Sequence, residues 1–443
     1  MTALRTLKSH MAGCLQTAMA SRTLRTVSIF AGGNLIATAL AIVGSVVQAR
    51  YVGPEEMGVF RTFSIVVGYL SFLHLGTVDG LQRQLPCLLG SGRRDAAERA
   101  ASASLAWTLL VSALGGIAFL GLALVDALHG RWMHACGWIA HTPVLFAALY
   151  GVGLGTTYRT GGDFARLSTI NMAQAVVGTL LLPLVPPLRY VGLCLRLFLV
   201  SLFGAALLQR SCPFPIRRGF GVKDLWGVVR VGLPLSVVGY LATSFWWSLE
   251  SSLVFRHLGV EALGLFTVVV LFRQTACQLL LNVNQVYMPR IAEQFGRSGR
   301  ITDCVRLSVK PTLLAALATL PLMAIGWALA PAAIRLAMPK YADAIAAVQW
   351  TLPMMLVFVL RLPLYSLQAS GRYVDHGVSV VCGIVCFVAA AIIAFQWDGG
   401  LVGIVLASTA GHVAQNAVSY VFIFLQMHRE QTASAAMATG GIS

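Results

Sequence analysis

Three arginines, Arg61, Arg273 and Arg361, stand inside long apolar runs of this chain, and one carboxylate, Glu250, stands in another. An ionisable side chain at the centre of a membrane helix costs roughly 2.5–3.5 kcal/mol on insertion scales, so such residues are candidates for binding work. Arginine keeps its charge in almost any surroundings and grips phosphate oxygens in a two-pronged fork, which suits these three to an anionic cargo. Glu250, in "SFWWSLESSLVF", has two readings: it binds a coupling proton or sodium ion, or it holds an arginine in place. Asp79, at the end of a second apolar run with Arg83 four residues on, reads as a charge partner shaping that exit.

Each arginine also has a plain structural reading. Arg61 can snorkel to the membrane surface, Arg361 can belong to the inner end of its helix, and Arg273 can simply neutralise Glu250, because buried charges usually pair. The tryptophans Trp246 and Trp247 are suited either to stacking on a sugar ring or to anchoring at the membrane interface. His74 reads as a hydrogen-bonded core histidine.

The elements that carry these residues follow from composition. Of the 443 residues, 57% are hydrophobic and 11% charged, whereas a soluble domain carries about 25% charged residues. Such a chain cannot cover a water-facing surface, so it is an integral membrane protein. About twelve apolar runs, from residues 27–49 to residues 401–426, are each close to the ~20 residues needed to cross ~30 Å of hydrocarbon. They are continuous rather than alternating, which predicts helices and not barrel strands.

The net charge of +16 does not point to nucleic acid. Basic residues concentrate in alternate connections, "GSGRRDAAER", "RSCPFPIRRGFGVKDLWGVVR" and "PRIAEQFGRSGRITDCVRLSVK", while the opposite turns hold isolated ones. This asymmetry predicts that both termini are cytoplasmic, with lipid headgroups as partners of most of the charge. The nine cysteines show no disulfide framework and no zinc spacing. There is no phosphate-binding loop, no zinc-protease motif and no nucleophile elbow, so enzyme activity is not expected and no cofactor is called for.

The chain also repeats itself. "RYVGPEEMGVF" at 50–60 returns as "RHLGVEALGLF" at 256–266, matching Gly53 with Gly259, Glu55 with Glu261, Gly58 with Gly264 and Phe60 with Phe266. A Pro-then-basic turn follows in each copy, around Pro86 and Pro289. The nearly equal spacing marks a duplication. Since each half holds an even number of spans, the halves are parallel repeats. The expected organisation is a cytoplasmic N-terminal segment 1–26, a first six-helix bundle 27–209, a cytoplasmic linker 210–229, a second six-helix bundle 230–426 and a cytoplasmic tail 427–443. Within each copy the turn is a helix hairpin, in which Pro54 suits a first turn and Gly58 lets two helices approach.

"YVGPEEMGVF", "GLQRQLP", "YADAIAAVQWTLPMM" and "LQASGRYVDHG" together resemble the polysaccharide transporter branch of the multidrug/oligosaccharidyl-lipid/polysaccharide exporter superfamily, the O-antigen and exopolysaccharide repeat-unit flippases. The resemblance spans nearly the whole chain. It implies an all-α polytopic membrane protein whose two parallel six-helix bundles surround a central cavity, a MATE-like fold. It further implies a secondary transporter of the bacterial inner membrane that flips an undecaprenyl-pyrophosphate-linked oligosaccharide, with polysaccharide polymerase and export machinery as partners. Arg273 and Arg61, then Arg361, would hold the pyrophosphate, and coupling to H+ or Na+ is left open. Two alternatives stand beside this reading: an ion-coupled exporter of drugs or other small molecules on the same fold, and a membrane-embedded polysaccharide polymerase or glycosyltransferase.

Overall fold

The computed structural model describes residues 22–439 except 162, 215 and 218; the predicted N-terminal segment and the last four residues lie largely outside this range. Every regular element among the described residues is helical. In chain order, α1 is Arg22–Tyr51, α2 Pro54–Leu70, α3 Thr77–Gly90, α4 Arg94–Leu128, α5 Trp132–Thr160, α6 Phe164–Leu180 and α7 Val185–Arg210. Then follow α8 Val222–Tyr240, α9 Trp246–Ser298, α10 Ile301–Ala337, α11 in two pieces, Pro339–Thr351 and Met354–Ala369, α12 Tyr373–Gln396 and α13 Gly400–Thr439.

Eight continuous helices among the described residues are long and apolar enough to cross a membrane, and nine if the two pieces of α11, bent by 42°, form one span. Two of the eight are runs of 47 and 56 residues, Phe164–Arg210 and Val222–Cys277, at least twice what a crossing needs. Each is folded back at a non-helical residue, Arg189 (φ 45°) in one and Gly259 (φ 89°) in the other. Counting those as two spans each, α11 as one, and adding the 30-residue α1 gives twelve crossings among the described residues. Gly259 must be glycine, because φ near +90° is strained for any side chain.

The chain forms two compact units. Unit 1 takes the described residues up to Gln48 together with Leu73–Pro234; unit 2 takes Ala49–Phe72 together with the chain from Leu235 onward. Compactness is therefore distributed differently from the order of the repeat, since α2 packs within unit 2.

The packing of α2 explains the repeated turn. A Cβ on Gly58 would stand 1.9 Å from the carbonyl oxygen of Val260, and a Cβ on Gly264 would stand 1.7 Å from that of Pro54. Val260 is the repeat equivalent of Pro54, and Gly264 of Gly58. The two copies of the motif thus cross each other with equivalent residues exchanging contacts, as across a local two-fold axis. Glycine at both positions lets the backbones touch, the small-residue crossing expected inside a membrane. Glu56 completes the first copy by accepting the Gly53 backbone N–H at 3.0 Å, a capping arrangement.

Further contacts tie unit 2 together. Tyr341, fully buried, donates its hydroxyl to Val52 O at 3.1 Å, and Lys340 Nζ donates to Tyr51 O at 3.1 Å. These bonds satisfy carbonyls at the end of α1 that have no intrahelical partner. At the other end, the Glu430 carboxylate accepts from Ile301 N, Thr302 N and Thr302 Oγ1, where a negative charge complements the N-terminus of α10.

Candidate functional site

The arginines and Glu250 all belong to unit 2. Arg61 lies seven residues into α2, about 10 Å along the helix from its first residue, Pro54. Arg273 lies fourteen residues past the break at Gly259, about 21 Å in. Arg361 sits where α11 loses α-helical form: Met354–Val359 is α-helical, but Leu362–Leu364 is a 3₁₀ turn around Pro363, because proline has no N–H to continue the ladder.

Arg273 and Glu250 form a two-pronged ion pair. Nη1 donates to Oε1 at 2.7 Å and Nη2 to Oε2 at 2.6 Å, and both residues are buried, 3% and 1% exposed. The guanidinium also lies 4.7 Å from the centre of the Trp247 ring and 5.9 Å from that of Phe266. Both carboxylate oxygens of Glu250 are therefore committed to Arg273, and both terminal nitrogens of Arg273 to Glu250.

Arg361 has no carboxylate partner among the described residues. Its Nη2 lies 2.9 Å from His412 Nδ1 and donates to Gln415 Oε1 at 2.8 Å, while Phe358 sits 4.4 Å below the guanidinium. Its Nε is buried without a partner. His412 in turn stacks on Trp246 at 4.1 Å, and Trp246 stacks on Phe387 at 5.7 Å.

Arg61 opens into a cavity of about 310 Å³. From α2 come Arg61 and Ser64, with Ile65 and Gly68 completing the wall; from the other side come Ser244, Trp247, Ser248 and Ser251. Positions 61, 64, 65 and 68 are one helical stripe, and 244, 247, 248 and 251 are another, each spaced i, i+3, i+4, i+7. A π turn at Leu241–Phe245 introduces the second stripe; such turns reset which residues face a site. No acidic residue lines this cavity. Among the described residues in the interior of the spans of unit 2, three arginines thus stand against a single carboxylate, which pairs with Arg273.

The two adjacent tryptophans have different places. Trp246 is 1% exposed within the His412–Phe387 stack, while Trp247 is half-buried and lines the cavity. Trp246→Leu is expected to lower the melting temperature of the purified protein, as loss of a buried aromatic does (roughly 3–5 kcal/mol for truncation to alanine). Trp247→Leu is expected to leave the melting temperature nearly unchanged. Equal effects on melting would remove the distinction.

Asp79 lies elsewhere, in the first turn of α3 in unit 1, and no ion pair joins it to Arg83; the expected i, i+4 pair is not formed. Its position in the first turn, facing the helix dipole, accounts for a charge there without Arg83. His74 Nδ1 accepts from Gly76 N at 3.0 Å, a local turn contact. Sequence reasoning passed over Arg196, which donates Nε to Gly178 O at 2.7 Å near the end of α6 and so serves a helix terminus. It also passed over Ser244, Ser248 and Ser251, although their helical spacing with Trp247 was readable. Unit 1 holds a groove of about 630 Å³ walled by Leu109, Ile117, Phe146 and Leu202, with no charged lining residue.

No family profile matches the sequence, and no curated protein matches it. Solved structures do resemble it. An inward-facing multidrug resistance MATE family transporter superposes with a TM-score of 0.74 at 17% identity, covering 90% of this chain and 96% of that one. An outward-facing multidrug resistance MATE family transporter gives 0.66 at 16%, covering 91% and 96%. A transporter of the same superfamily from Pyrococcus furiosus, reported with a binding pocket of reversed polarity that suggests a different function, gives 0.66 at 16%, covering 91% and 95%. At these identities the likeness speaks for architecture: this chain is a multi-pass, all-helical membrane protein with the MATE fold.

Proposed function

We propose that this protein is a secondary transporter that flips an undecaprenyl-pyrophosphate-linked oligosaccharide across a bacterial inner membrane by alternating access. The observation that carries this reading is the charge balance in unit 2. Arg61, Arg273 and Arg361 meet one carboxylate, Glu250, which is wholly engaged by Arg273. Two fixed positive charges are left without an acid in a low-dielectric interior, where a cation is costly until an anion arrives. A pyrophosphate supplies that anion, while a polyprenyl tail can remain in the lipid.

Arg61, whose guanidinium opens onto the cavity, is the direct ligand in this reading. Arg361 is a second cation on the route. Arg273, tied to Glu250 and lying over Trp247, holds the cavity wall. The basic connections support a topology with both termini on the cytoplasmic side. The fold is equally that of multidrug exporters, and a superfamily member on the same fold has a binding pocket whose reverse polarity suggests a different function. An exporter of cationic drugs would want carboxylates where this cavity has Arg61 and hydroxyls.

The test is the sidedness of undecaprenyl-linked oligosaccharide in cells lacking the protein and any redundant flippase. The intermediate is expected to accumulate on the cytoplasmic leaflet, to be cleared by the wild-type protein, and to be cleared roughly 10- to 100-fold more slowly by Arg61→Gln, the worth of one charge-assisted hydrogen bond. If the intermediate reaches the outer leaflet normally and the same cells instead retain cationic drugs, the multidrug reading replaces this one.

A further inference from the structure

The groove of unit 1 runs along α4 from Leu109 to Leu120 and along α7 from Phe198 to Gln209, and α5, packed against both, is its floor. Eleven residues of helix extend about 16 Å, about half of the ~30 Å of hydrocarbon in a bilayer, so the groove is as long as one leaflet is deep. Its volume of about 630 Å³ has room for about twenty methylene-sized groups at ~30 Å³ each. That is one long acyl chain. Ile117, Leu120 and Leu202 on its walls are exposed, so it opens sideways toward lipid.

Chemistry narrows the occupant to hydrocarbon. No charged residue lines the groove, and its few hydroxyls are spent inside the protein. Ser112 Oγ donates to Thr108 O at 2.6 Å, Thr142 Oγ1 to Trp138 O at 3.1 Å, and Tyr150 Oη to Gln209 Oε1 at 2.5 Å. A ligand rich in hydroxyls would find few partners along such a wall. Leu109, Phe146 and Tyr150 also belong to a packed cluster with Leu105 and Leu154, so the floor is fixed by the core beneath it.

One end is different. Tyr150 takes the oxygen of the Gln209 amide, which leaves the amide N–H groups as what that side chain can offer. Arg210 continues the row Phe198, Leu202, Ala206, each four residues apart, so it stands one turn beyond the groove on the same face of α7. Arg159, exposed in the last turn of α5, comes to the same end, because Tyr158 beside it donates to Leu208 O at 2.9 Å. The groove thus joins an apolar trough one leaflet long to two arginines at its mouth. We propose that it holds an anionic phospholipid of the surrounding bilayer, with one acyl chain in the trough and the phosphate meeting Arg210 and Arg159. An arginine fork suits phosphate oxygens, and basic side chains at a membrane surface draw anionic headgroups. The site lies within unit 1 and does not depend on the identity of the cargo.

The experiment titrates the full-length protein in mild detergent and reads binding by native mass spectrometry. The probes are a phosphatidylglycerol, the phosphatidylcholine with the same acyl chains, and undecaprenyl phosphate. The phosphatidylglycerol is expected to bind about tenfold more tightly than the phosphatidylcholine. The Arg159→Gln/Arg210→Gln variant should bring the two lipids within about twofold of each other. Arg306→Gln/Lys310→Gln, which removes the same charge from exposed positions of α10, should leave the preference intact. Ala206→Phe puts a ring into the trough and should weaken both phospholipids about tenfold.

If phosphatidylcholine binds as tightly as phosphatidylglycerol, or the α10 variant lowers the preference as far as the Arg159/Arg210 variant does, the headgroup site is wrong and the attraction is general to the basic face. If Ala206→Phe elutes as folded protein and binds both lipids like the wild type, the chain does not lie in the trough. Undecaprenyl phosphate that binds more tightly than phosphatidylglycerol, and loses that binding in Ala206→Phe, overturns the proposal in favour of a groove for a polyprenyl tail.

Discussion

Glu250→Ala is expected to destabilise the protein by about 3–5 kcal/mol, because it leaves the Arg273 guanidinium buried without its counter-charge. Both members of the pair are almost completely enclosed, at 3% and 1% exposure, so water cannot take over the lost bonds at 2.7 and 2.6 Å. The second half of the prediction separates a structural pair from a cargo ligand. Glu250→Leu combined with Arg273→Met removes both charges and keeps the volume, and replacing a buried pair by apolar residues is often neutral or stabilising. The double variant should therefore melt close to the wild type while each single variant melts well below it. A detergent-solubilised thermal melt read by size-exclusion chromatography decides this. If Glu250→Ala melts with the wild type, the pair is not holding the bundle. Under the proposed flippase function, the double variant carries separate information: Trp247 would have lost the cation lying 4.7 Å from its ring, so movement of cargo should be slowed even in a well-folded protein.

A large effect is also expected from single methyl groups at the crossing of the repeated motif. In Gly58→Ala the new Cβ would meet the Val260 carbonyl oxygen at 1.9 Å, and in Gly264→Ala it would meet that of Pro54 at 1.7 Å. The obstacle in each case is backbone, which cannot swing aside as a side chain does, so the helices must separate. Overpacking typically costs 1–3 kcal/mol, and these two sites should lie at or above the upper end of that range, with little folded protein recovered. Gly155→Ala is the control, since a Cβ there meets nothing within 4 Å and alanine is the better helix former. Normal yield and melting of Gly264→Ala would contradict the crossing.

The duplication itself was visible from 50–60 and 256–266, as was the need for small residues in that turn. What could not be read there is that the two copies touch each other. Sequence similarity shows that two segments share a local structure; it carries nothing about whether a pseudo-symmetric axis runs between them. The same holds for compactness, where α2 joins unit 2 through contacts made some two hundred residues along the chain.

The arginines were found for an energetic reason that needs no coordinates: charge in an apolar span is expensive, and the expense is written in the residue types. Their partners were only partly legible. The pairing of Arg273 with Glu250 was one of two open readings, and Arg361 with His412 and Gln415 was not anticipated, because it depends on the break in α11 at Pro363. Asp79 and Arg83 have the spacing of a helix pair and do not form one, since spacing brings side chains within reach without supplying a reason to meet.

Composition, hydropathy and charge placement by themselves determined that this is a helical membrane protein built from a repeat, with cationic groups in its spans, because the bilayer taxes each residue according to its own polarity. Which cation is neutralised, which of two neighbouring tryptophans is core and which is wall, and which serines line the cavity were decided only by the tertiary structure. Those properties belong to pairs of residues on different helices, and their energies depend on distances that no single helix contains.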